Sequence, residues 1–264
     1  MGNRKTLLGH FWNEEYLLPW WIKHHREMFD DAILIDWHST DRSVHEIRKH
    51  APSGWKVVTT RHKVPMDDDE CFALALDAEV MEYEAGVDGW RMCLNTTEFL
   101  LGDINKVTMI SEGQRQVLVG CMQLFEWNPE GSLDWHKPLW RQKWMGRDCR
   151  NRNALNERSP RSLHNFPFQY TPGRHFFNLP VEQIEKDLVI LHYANCISSP
   201  GMLKRRLQIQ QRITKLDRSR DWGSHHFKTR HGGEMTADDI KPYILARQLH
   251  NGEDLRPIID AMLK

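Results

Sequence analysis

The chain has 264 residues, enough for one large α/β domain or two small ones with a substantial core. Its 36 Lys and Arg side chains balance its 36 Asp and Glu side chains, so the charge argues against a nucleic-acid or anionic-membrane partner. The five cysteines form no C-x-x-C pair and no apolar stretch is long enough to span a membrane, so we expect a cytoplasmic protein with no transmembrane segment.

The first hundred residues alternate apolar runs with helix-forming segments. We predict strands and helices in the following order: strand 6–11, helix 19–28, strand 32–36, helix 44–50, strand 56–59, helix 69–85 and strand 90–94. Strands separated by helices of this length predict βαβ crossovers and a mostly parallel sheet. In such sheets ligands bind beyond the carboxyl ends of the strands, so the polar residues that follow the strands are candidate site residues.

The acidic run 67–70 contains the Asp-x-Asp spacing of a metal site. It lies at the start of the helix predicted over 69–85, where carboxylates cap the first turn and interact favourably with the helix dipole. We therefore interpret these acids as helix caps and not as metal ligands.

The second half of the sequence is less regular. We predict a long strand over 117–127, loops over 128–187, a buried strand over 188–193, and helices over 200–213, 236–250 and 254–263. Thr236 and Asp239 have the spacing of a capping box. We divide the chain into an α/β domain, residues 1–215, and a helical C-terminal extension, residues 216–264.

Three blocks of the first half stand out: NEEYLLPWWIKHH at 13–25, AILIDWHSTDRSVHEI at 32–47 and GWRMCLNTTEFLLGD at 89–103. Together they resemble the start of a family 2-type glycosyltransferase with the GT-A fold. The resemblance covers residues 6–103 and resumes at LVILHY, 188–193, and the basic helix after it. It implies an α/β fold with a Rossmann-like, mostly parallel sheet flanked by helices, and a less regular C-terminal half that ends in helices.

The resemblance also implies an activity and a set of binding residues. The protein is expected to transfer a sugar, with inversion, from a nucleotide-sugar donor to a glycan or small-molecule acceptor in polysaccharide biosynthesis. Asp36 is expected to accept a hydrogen bond from the nucleotide base. The full set of expected donor-binding residues is His10, Trp12, Asn13, Glu14, Asp36, Asn95, Thr97, Lys204 and Arg205.

The sequence departs from the family where a metal ion would bind. The family motif Asp-Ala-Asp-Glu-Phe is replaced by Asn95-Thr96-Thr97-Glu98-Phe99, so both metal-binding aspartates are absent. Glu98 and His192 remain as candidate ligands of Mn²⁺ or Mg²⁺, but neutral Asn and Thr oxygens bind hard cations weakly. Arginine binds diphosphate oxygens without a metal, and the candidates for this alternative are Lys204, Arg205, Arg206, Arg147, Arg150, Arg152, Arg161 and Arg174.

An inverting enzyme also needs a general base near the acceptor hydroxyl. The candidate catalytic acids are Glu98, Glu126 and Asp134, of which Glu98 could instead orient the acceptor. Nearby aromatic side chains could stack on a sugar: Trp127, Trp135, Trp140 and Trp144.

Loss of the two aspartates leaves a second function open. The protein could be a non-catalytic relative that keeps the site as a carbohydrate- or nucleotide-binding module, or as a partner subunit. A hydrolase or nuclease that uses clustered His and Asp has no supporting spacing in the sequence.

Overall fold

A computed structural model describes residues 4–109, 113–125, 133–134, 136–150, 160–167, 169–170, 173–174, 184–195, 200–228, 235–236, 238–240 and 252–264. These residues form an α/β fold in which helices flank a mixed sheet of ten strands. The fold class predicted from the sequence is confirmed. None of the described helices is long and apolar enough to cross a membrane.

The N-terminal part of the sheet is parallel and consists of β1 (Lys5–Phe11), β2 (Asp31–Asp36), β3 (Lys56–Thr59) and β4 (Trp90–Cys93). The order of these strands in the sheet is β3-β2-β1-β4. The connecting helices are α1 (Leu18–His25), α2 (Ser43–His50) and α3 (Phe72–Ala85). The strand predictions agree with these bounds to within one residue at each end, because each strand is a short apolar run.

Two of the helix predictions in this part are wrong at one end. Helix α1 ends at His25 and not at residue 28. Helix α3 begins at Phe72, and the acidic run 67–70 lies in a turn before it. The backbone N–H of Phe72 is capped instead by Asp217 Oδ2, at 3.0 Å, from a distant part of the chain. The acids 67–70 therefore do not cap this helix.

The second half extends the sheet mainly through antiparallel pairs. Its strands are β5 (Glu98–Gly102), β6 (Gln116–Phe125), β7 (Met145–Asp148), β8 (Arg161–His164), β9 (Ile184–Asn195) and β10 (Glu253–Asp254). The antiparallel pairs are β8 with β4, β6 with β8, β7 with β6, β10 with β7 and β9 with β5. Strand β9 also pairs with β6, in parallel orientation.

The remaining described helices are short apart from one. They are α4 (Ile104–Thr108), a 3-10 turn (Leu139–Arg141), α5 (Pro200–Arg212), α6 (Lys215–Ser219), α7 (Ser224–Phe227) and α8 (Arg256–Met262). Helix α5 agrees with its prediction to within one residue.

The prediction of loops over 128–187 is wrong, because β7, β8 and the start of β9 lie in that range. Strands β7 (MGRD) and β8 (RSLH) are short and contain charged residues, so they lack the apolar run that marks a buried strand. The helix predicted over 254–263 begins at Arg256, after the two residues of β10. The backbone N–H of Thr236 donates to Asp239 Oδ2 at 2.8 Å, which is one of the two hydrogen bonds of the predicted capping box. Residues 241–250 lie outside the described part of the chain.

A buried tryptophan fixes the turn between β4 and β5. The indole N–H of Trp21, from α1, donates to the carbonyl oxygens of Glu98 at 2.9 Å and Asn95 at 3.1 Å. Trp21 itself is packed in the main core. The core thereby holds the polar Asn95–Glu98 turn in place at the end of β4. The division of the chain at residue 215 stays a prediction.

Candidate functional site

A cavity of about 710 Å³ lies where the ends of β1 and β4 meet helices α3 and α5, and it extends over β6, β7 and β9. Its lining is rich in arginine: Arg147, Arg161, Arg174, Arg205, Arg206 and Arg212. The lining carboxylates are Glu14, Asp77, Asp217 and Asp221. Such a wall favours a ligand with negative charge.

Hydrogen bonds join the loops after β1 and β2. The side-chain oxygen of Asn13, a residue at a positive φ of 51°, accepts from the backbone N–H groups of Thr40 at 2.7 Å and Asp41 at 3.1 Å. Asp36 Oδ1 accepts from the backbone N–H of Ser39 at 2.9 Å. Asn13 and Asp36 are buried behind the cavity wall and are not among its lining residues. Asn13 therefore joins the loop that carries Trp12 and Glu14 to the loop after β2. Asp36 holds that second loop in place.

The first buried ion pair joins Glu98 on β5 to Arg161 on β8. Both side chains are at least 98% buried, and Arg161 donates to Glu98 Oε2 at 2.9 Å and to Oε1 at 2.7 Å. The backbone N–H of Asn95 donates to the same carboxylate at 2.8 Å. Burial alone would raise the pKa of Glu98, but the charge and hydrogen bonds of Arg161 lower it to about 2. Glu98 is therefore an anion that is fully engaged by its neighbours.

Two further arginines are paired in the cavity wall. Arg174 donates to Asp77 Oδ1 at 2.5 Å, to Asn95 Oδ1 at 3.0 Å and to the His10 ring nitrogen Nδ1 at 3.3 Å. Burial and the nearby arginines lower the pKa of His10 well below its ordinary value, so its ring is neutral. Arg205 donates to Glu14 Oε1 at 2.7 Å. We call Arg161, Arg174 and Arg205 the paired arginines.

Two other lining arginines, Arg147 and Arg212, form no ion pair with any residue that the structure describes. Arg212 is 8% exposed, and its guanidinium carbon lies 3.4 Å from the centre of the Trp12 ring. Its Nη2 group makes one long hydrogen bond, 3.5 Å, to the carbonyl oxygen of Trp37. Burial lowers the pKa of Arg212 well below its ordinary value. We call Arg147 and Arg212 the open arginines.

The candidate metal ligands are engaged by other groups. Both Glu98 oxygens are bound by Arg161, and the His192 ring nitrogen Nδ1 lies 3.1 Å from the Gln123 side-chain nitrogen. Burial lowers the pKa of His192 to about 4. No group of three or more metal-binding side chains occurs among the residues that the structure describes. A donor set with one carboxylate already held by a guanidinium does not fit Mg²⁺ or Mn²⁺, which require several oxygen ligands.

The structure brings most of the predicted donor-binding residues to the cavity wall: His10, Trp12, Glu14, Asn95, Thr97 and Arg205. His192 lines the cavity as well, and Glu98 lies behind Arg161. Lys204 is exposed and is not a lining residue. Asp134 forms an ion pair with Lys137 at 3.1 Å, also away from the lining, and Glu126 lies outside the described residues.

The sequence reasoning missed Arg212, although a signal for it was present. Arg205, Gln208, Ile209 and Arg212 all line the cavity from α5. Their spacing of three, four and seven positions places them on one face of the helix. Once Arg205 is assigned to a site, the helix period points to Arg212 as its neighbour along the same face.

No protein-family model and no curated protein matches this chain. Solved structures of glucosyl-3-phosphoglycerate synthase from Mycobacterium tuberculosis match at 18% identity, covering 46% of this chain and 44% of that one. The TM-score is 0.31 for its complex with Mn²⁺, UDP-glucose and phosphoglyceric acid, and 0.32 for its complex with Mg²⁺ and UDP. A structure described as a mycobacterial protein matches at 16% identity and a TM-score of 0.32, with 46% and 41% covered. The chain thus spans less than half the length of these structures, and this likeness is too low to assign an activity.

Proposed function

We propose that the protein is a glycosyltransferase that uses a nucleotide-sugar donor and a glycan or small-molecule acceptor. The observation that carries the proposal is Arg212, a buried guanidinium in the cavity without an ion-pair partner among the described residues. A buried charge without a counterion is costly, so an anionic ligand at this position would relieve that cost. Trp12, beside Arg212, adds a flat aromatic surface of the kind that binds bases and sugars.

The diphosphate of the donor fits the face of α5 that carries Arg205 and Arg212. Guanidinium groups bind phosphate oxygens through two parallel hydrogen bonds, which a lysine ammonium cannot do. The three blocks of resemblance to family 2-type glycosyltransferases, together with LVILHY at 188–193 and the basic helix after it, support the same assignment. The role of Asp36 toward the base stays a prediction.

We further propose that sugar transfer proceeds without a bound metal ion. The residues that replace the metal motif do not fit Mg²⁺ or Mn²⁺, because Arg161 holds both oxygens of Glu98. Negative charge develops on the diphosphate as its bond to the anomeric carbon breaks. Arginines fixed in a buried wall can stabilise this charge without reorganisation.

The acceptor hydroxyl must lose a proton when it attacks the anomeric carbon. Glu98 is a poor proton acceptor, because its pKa is about 2 and both oxygens are engaged. We assign Glu98 a positioning role, through Arg161 and the Asn95 turn. Glu126 stays the candidate base from the sequence, and Asp134 is a weaker candidate because it pairs with Lys137 on the surface.

The decisive experiment measures binding and turnover of nucleotide sugars. We expect one of the UDP, GDP, CMP or dTDP sugars to raise the thermal unfolding midpoint and to be hydrolysed slowly to free nucleotide. Arg212→Ala should strongly reduce both effects at the same ligand concentration, whereas Arg141→Gln, a change at an exposed arginine paired with Asp260, should preserve them. Complete loss of turnover in excess EDTA, restored by Mn²⁺, would refute the metal-independent mechanism. Absence of binding for the whole panel would refute the glycosyltransferase proposal.

A non-catalytic binding module is the second candidate function. The observation that favours it is the replacement of the two aspartates together with the engaged state of Glu98. A module would bind a nucleotide sugar with the same dependence on Arg212 but would not turn it over. The same assay separates the two functions, because only the enzyme releases free nucleotide.

A further inference from the structure

The turn between β4 and β5 carries the residues that replace the metal motif, and its side-chain oxygens are bonded to arginines. Asn95 Oδ1 accepts from Arg174 Nη2 at 3.0 Å, and the two oxygens of Glu98 accept from Arg161 at 2.7 and 2.9 Å. The Thr97 hydroxyl forms no hydrogen bond with a described residue, but it is a single neutral oxygen. The amide and carboxylate oxygens that a divalent ion would need at this turn are therefore bound by guanidinium groups.

Arg174 contacts three groups that could each ligate a metal ion. Its Nη1 donates to Asp77 Oδ1 at 2.5 Å, and its Nη2 donates to His10 Nδ1 at 3.3 Å as well as to Asn95. These partners are a carboxylate, an imidazole and an amide, all of which occur as ligands of divalent cations. They come from α3, from β1 and from the turn after β4, so one cationic group joins three separate segments.

The backbone at Arg174 is held in a conformation that a residue with a side chain seldom adopts. Its φ is 58°, in the left-handed region that costs a residue other than glycine free energy. The backbone N–H of Gly173 donates to Asp77 Oδ2 at 2.7 Å, and Arg161 donates to the carbonyl oxygens of Gly173 at 2.6 Å and Arg174 at 3.1 Å. Asp77 thus binds both the backbone and the guanidinium of this segment, which fixes the position of the charge.

We infer that the Arg174 guanidinium is a built-in cation that takes the place of a divalent ion at the 95–98 turn, with Asp77 as its counterion. The Arg174 side chain is 3% exposed and lines the cavity, so its charge lies fixed beside the ligand site. An arginine stays protonated at all ordinary pH values, and a chelator cannot remove it. The inference rests on the proposed function only where it takes the ligand of the cavity to be a nucleotide sugar.

The first test restores the two absent aspartates. The double variant Asn95→Asp, Thr97→Asp should still bind Mn²⁺ weakly, because Arg174 pairs with the new carboxylate at position 95. The triple variant that also carries Arg174→Ala should bind Mn²⁺ about tenfold more tightly or better, since the carboxylates are then free. Electron paramagnetic resonance of free Mn²⁺ and calorimetric titration measure both affinities without a sugar donor.

Two results of this test would overturn the inference. One is equal Mn²⁺ affinity with and without Arg174 in chains that keep the far-UV circular dichroism of the parent. The other is tight Mn²⁺ binding by the double variant, in which Arg174 is intact, and this result counts even if the triple variant does not fold.

The second test supplies a cation to the single variant Arg174→Ala. This variant leaves Asp77 buried without its partner, so its thermal unfolding midpoint should fall below that of the parent. Dilute methylguanidinium should raise the midpoint of Arg174→Ala but not that of the parent chain. Arg141→Gln removes an exposed arginine paired with Asp260, and its midpoint should not rise with methylguanidinium. An Arg174→Ala midpoint that does not rise overturns the inference.

The failure of this inference and the failure of the proposed function give different results, because neither test contains a nucleotide. If Arg174 controls Mn²⁺ binding in a chain that binds no nucleoside diphosphate, the built-in cation is supported and sugar transfer is refuted. If the parent binds a nucleotide sugar but Arg174 has no influence on Mn²⁺ or methylguanidinium, the built-in cation is refuted and sugar transfer stays in place.

Discussion

The paired arginines and the open arginines lie in the same cavity wall but have different surroundings. Arg161, Arg174 and Arg205 each contact a carboxylate within 2.7 Å, and each of those carboxylates comes from a segment distant in sequence. Arg147 and Arg212 contact no described carboxylate. We infer that the carboxylate contacts make the paired arginines part of the architecture, and that the open arginines have their whole charge available to a ligand.

The paired arginines join segments of the fold that are distant in sequence. Glu98 and Arg161 link β5 to β8, although these strands are not neighbours in the sheet. Such a pair contributes little net free energy when intact, because both charges are desolvated. Removal of one partner leaves the other charge buried alone, so we expect it to cause a large loss in the free energy of unfolding.

The largest effect should follow from removing the charge of Glu98. Glu98→Gln removes the carboxylate that pairs with Arg161, whose side chain is 98% buried, and should lower the free energy of unfolding by about 3–5 kcal/mol. Urea unfolding at pH 7 measures the loss. The double variant Glu98→Gln, Arg161→Met should recover much of it, since no charge then remains buried. A loss below about 1 kcal/mol in the single variant would mean that the pair is not architectural.

The same pair should make stability depend on pH on the acidic side. The pKa of Glu98 is about 2 in the folded chain, below its ordinary value of 4.5. The stabilisation is therefore complete above about pH 4.5 and is lost as the pH falls toward 2, in total about 3 kcal/mol. Urea unfolding between pH 7 and pH 3 should show the larger part of this loss in the parent chain, about 2 kcal/mol. The double variant, which lacks the pair, should show a shallower decrease, and equal slopes would contradict the assignment.

The paired arginines also show where sequence reasoning reaches its limit. Arg161 and Glu98 are 63 positions apart, and Arg174 and Asp77 are 97 apart. Neither pairing follows from local periodicity. Strand β8 was not predicted from the sequence, because its burial depends on an ion pair and not on an apolar run. The parallel strands were predictable because each is apolar along its length. The prediction that the acids 67–70 cap α3 was wrong for a similar reason. The residue that accepts from the first backbone N–H of α3 is Asp217, which lies far along the chain.

An intermediate effect is expected at Arg212, and here binding and stability should separate. Arg212→Met should weaken nucleoside diphosphate binding by about 10- to 100-fold, because the phosphates lose a charge-assisted bidentate contact. Its free energy of unfolding should stay unchanged or rise, since a buried charge without a partner is replaced by an apolar side chain. Calorimetric titration and urea unfolding measure the two quantities.

Arg205→Met is the matched comparison on the same helix face. It should weaken binding as well, but it should also lower stability, because Glu14 is left buried without its partner. If Arg212→Met proves as destabilising as Arg205→Met, the distinction between open and paired arginines fails.

The smallest effect is expected at Lys204, which the sequence alone ranks with Arg205 as a donor-binding residue. Neighbouring residues on an α-helix are about 100° apart around the axis, so Lys204 projects in a different direction from Arg205. Arg205 lines the cavity, whereas Lys204 is exposed and outside the lining. Lys204→Ala should therefore change the free energy of unfolding by no more than about 0.5 kcal/mol. The nucleotide affinity of the Lys204→Ala variant should match that of the parent chain. A loss as large as that of Arg212→Met would show that the ligand reaches beyond the cavity to the outer face of α5, and that local charge along this helix matters more than burial.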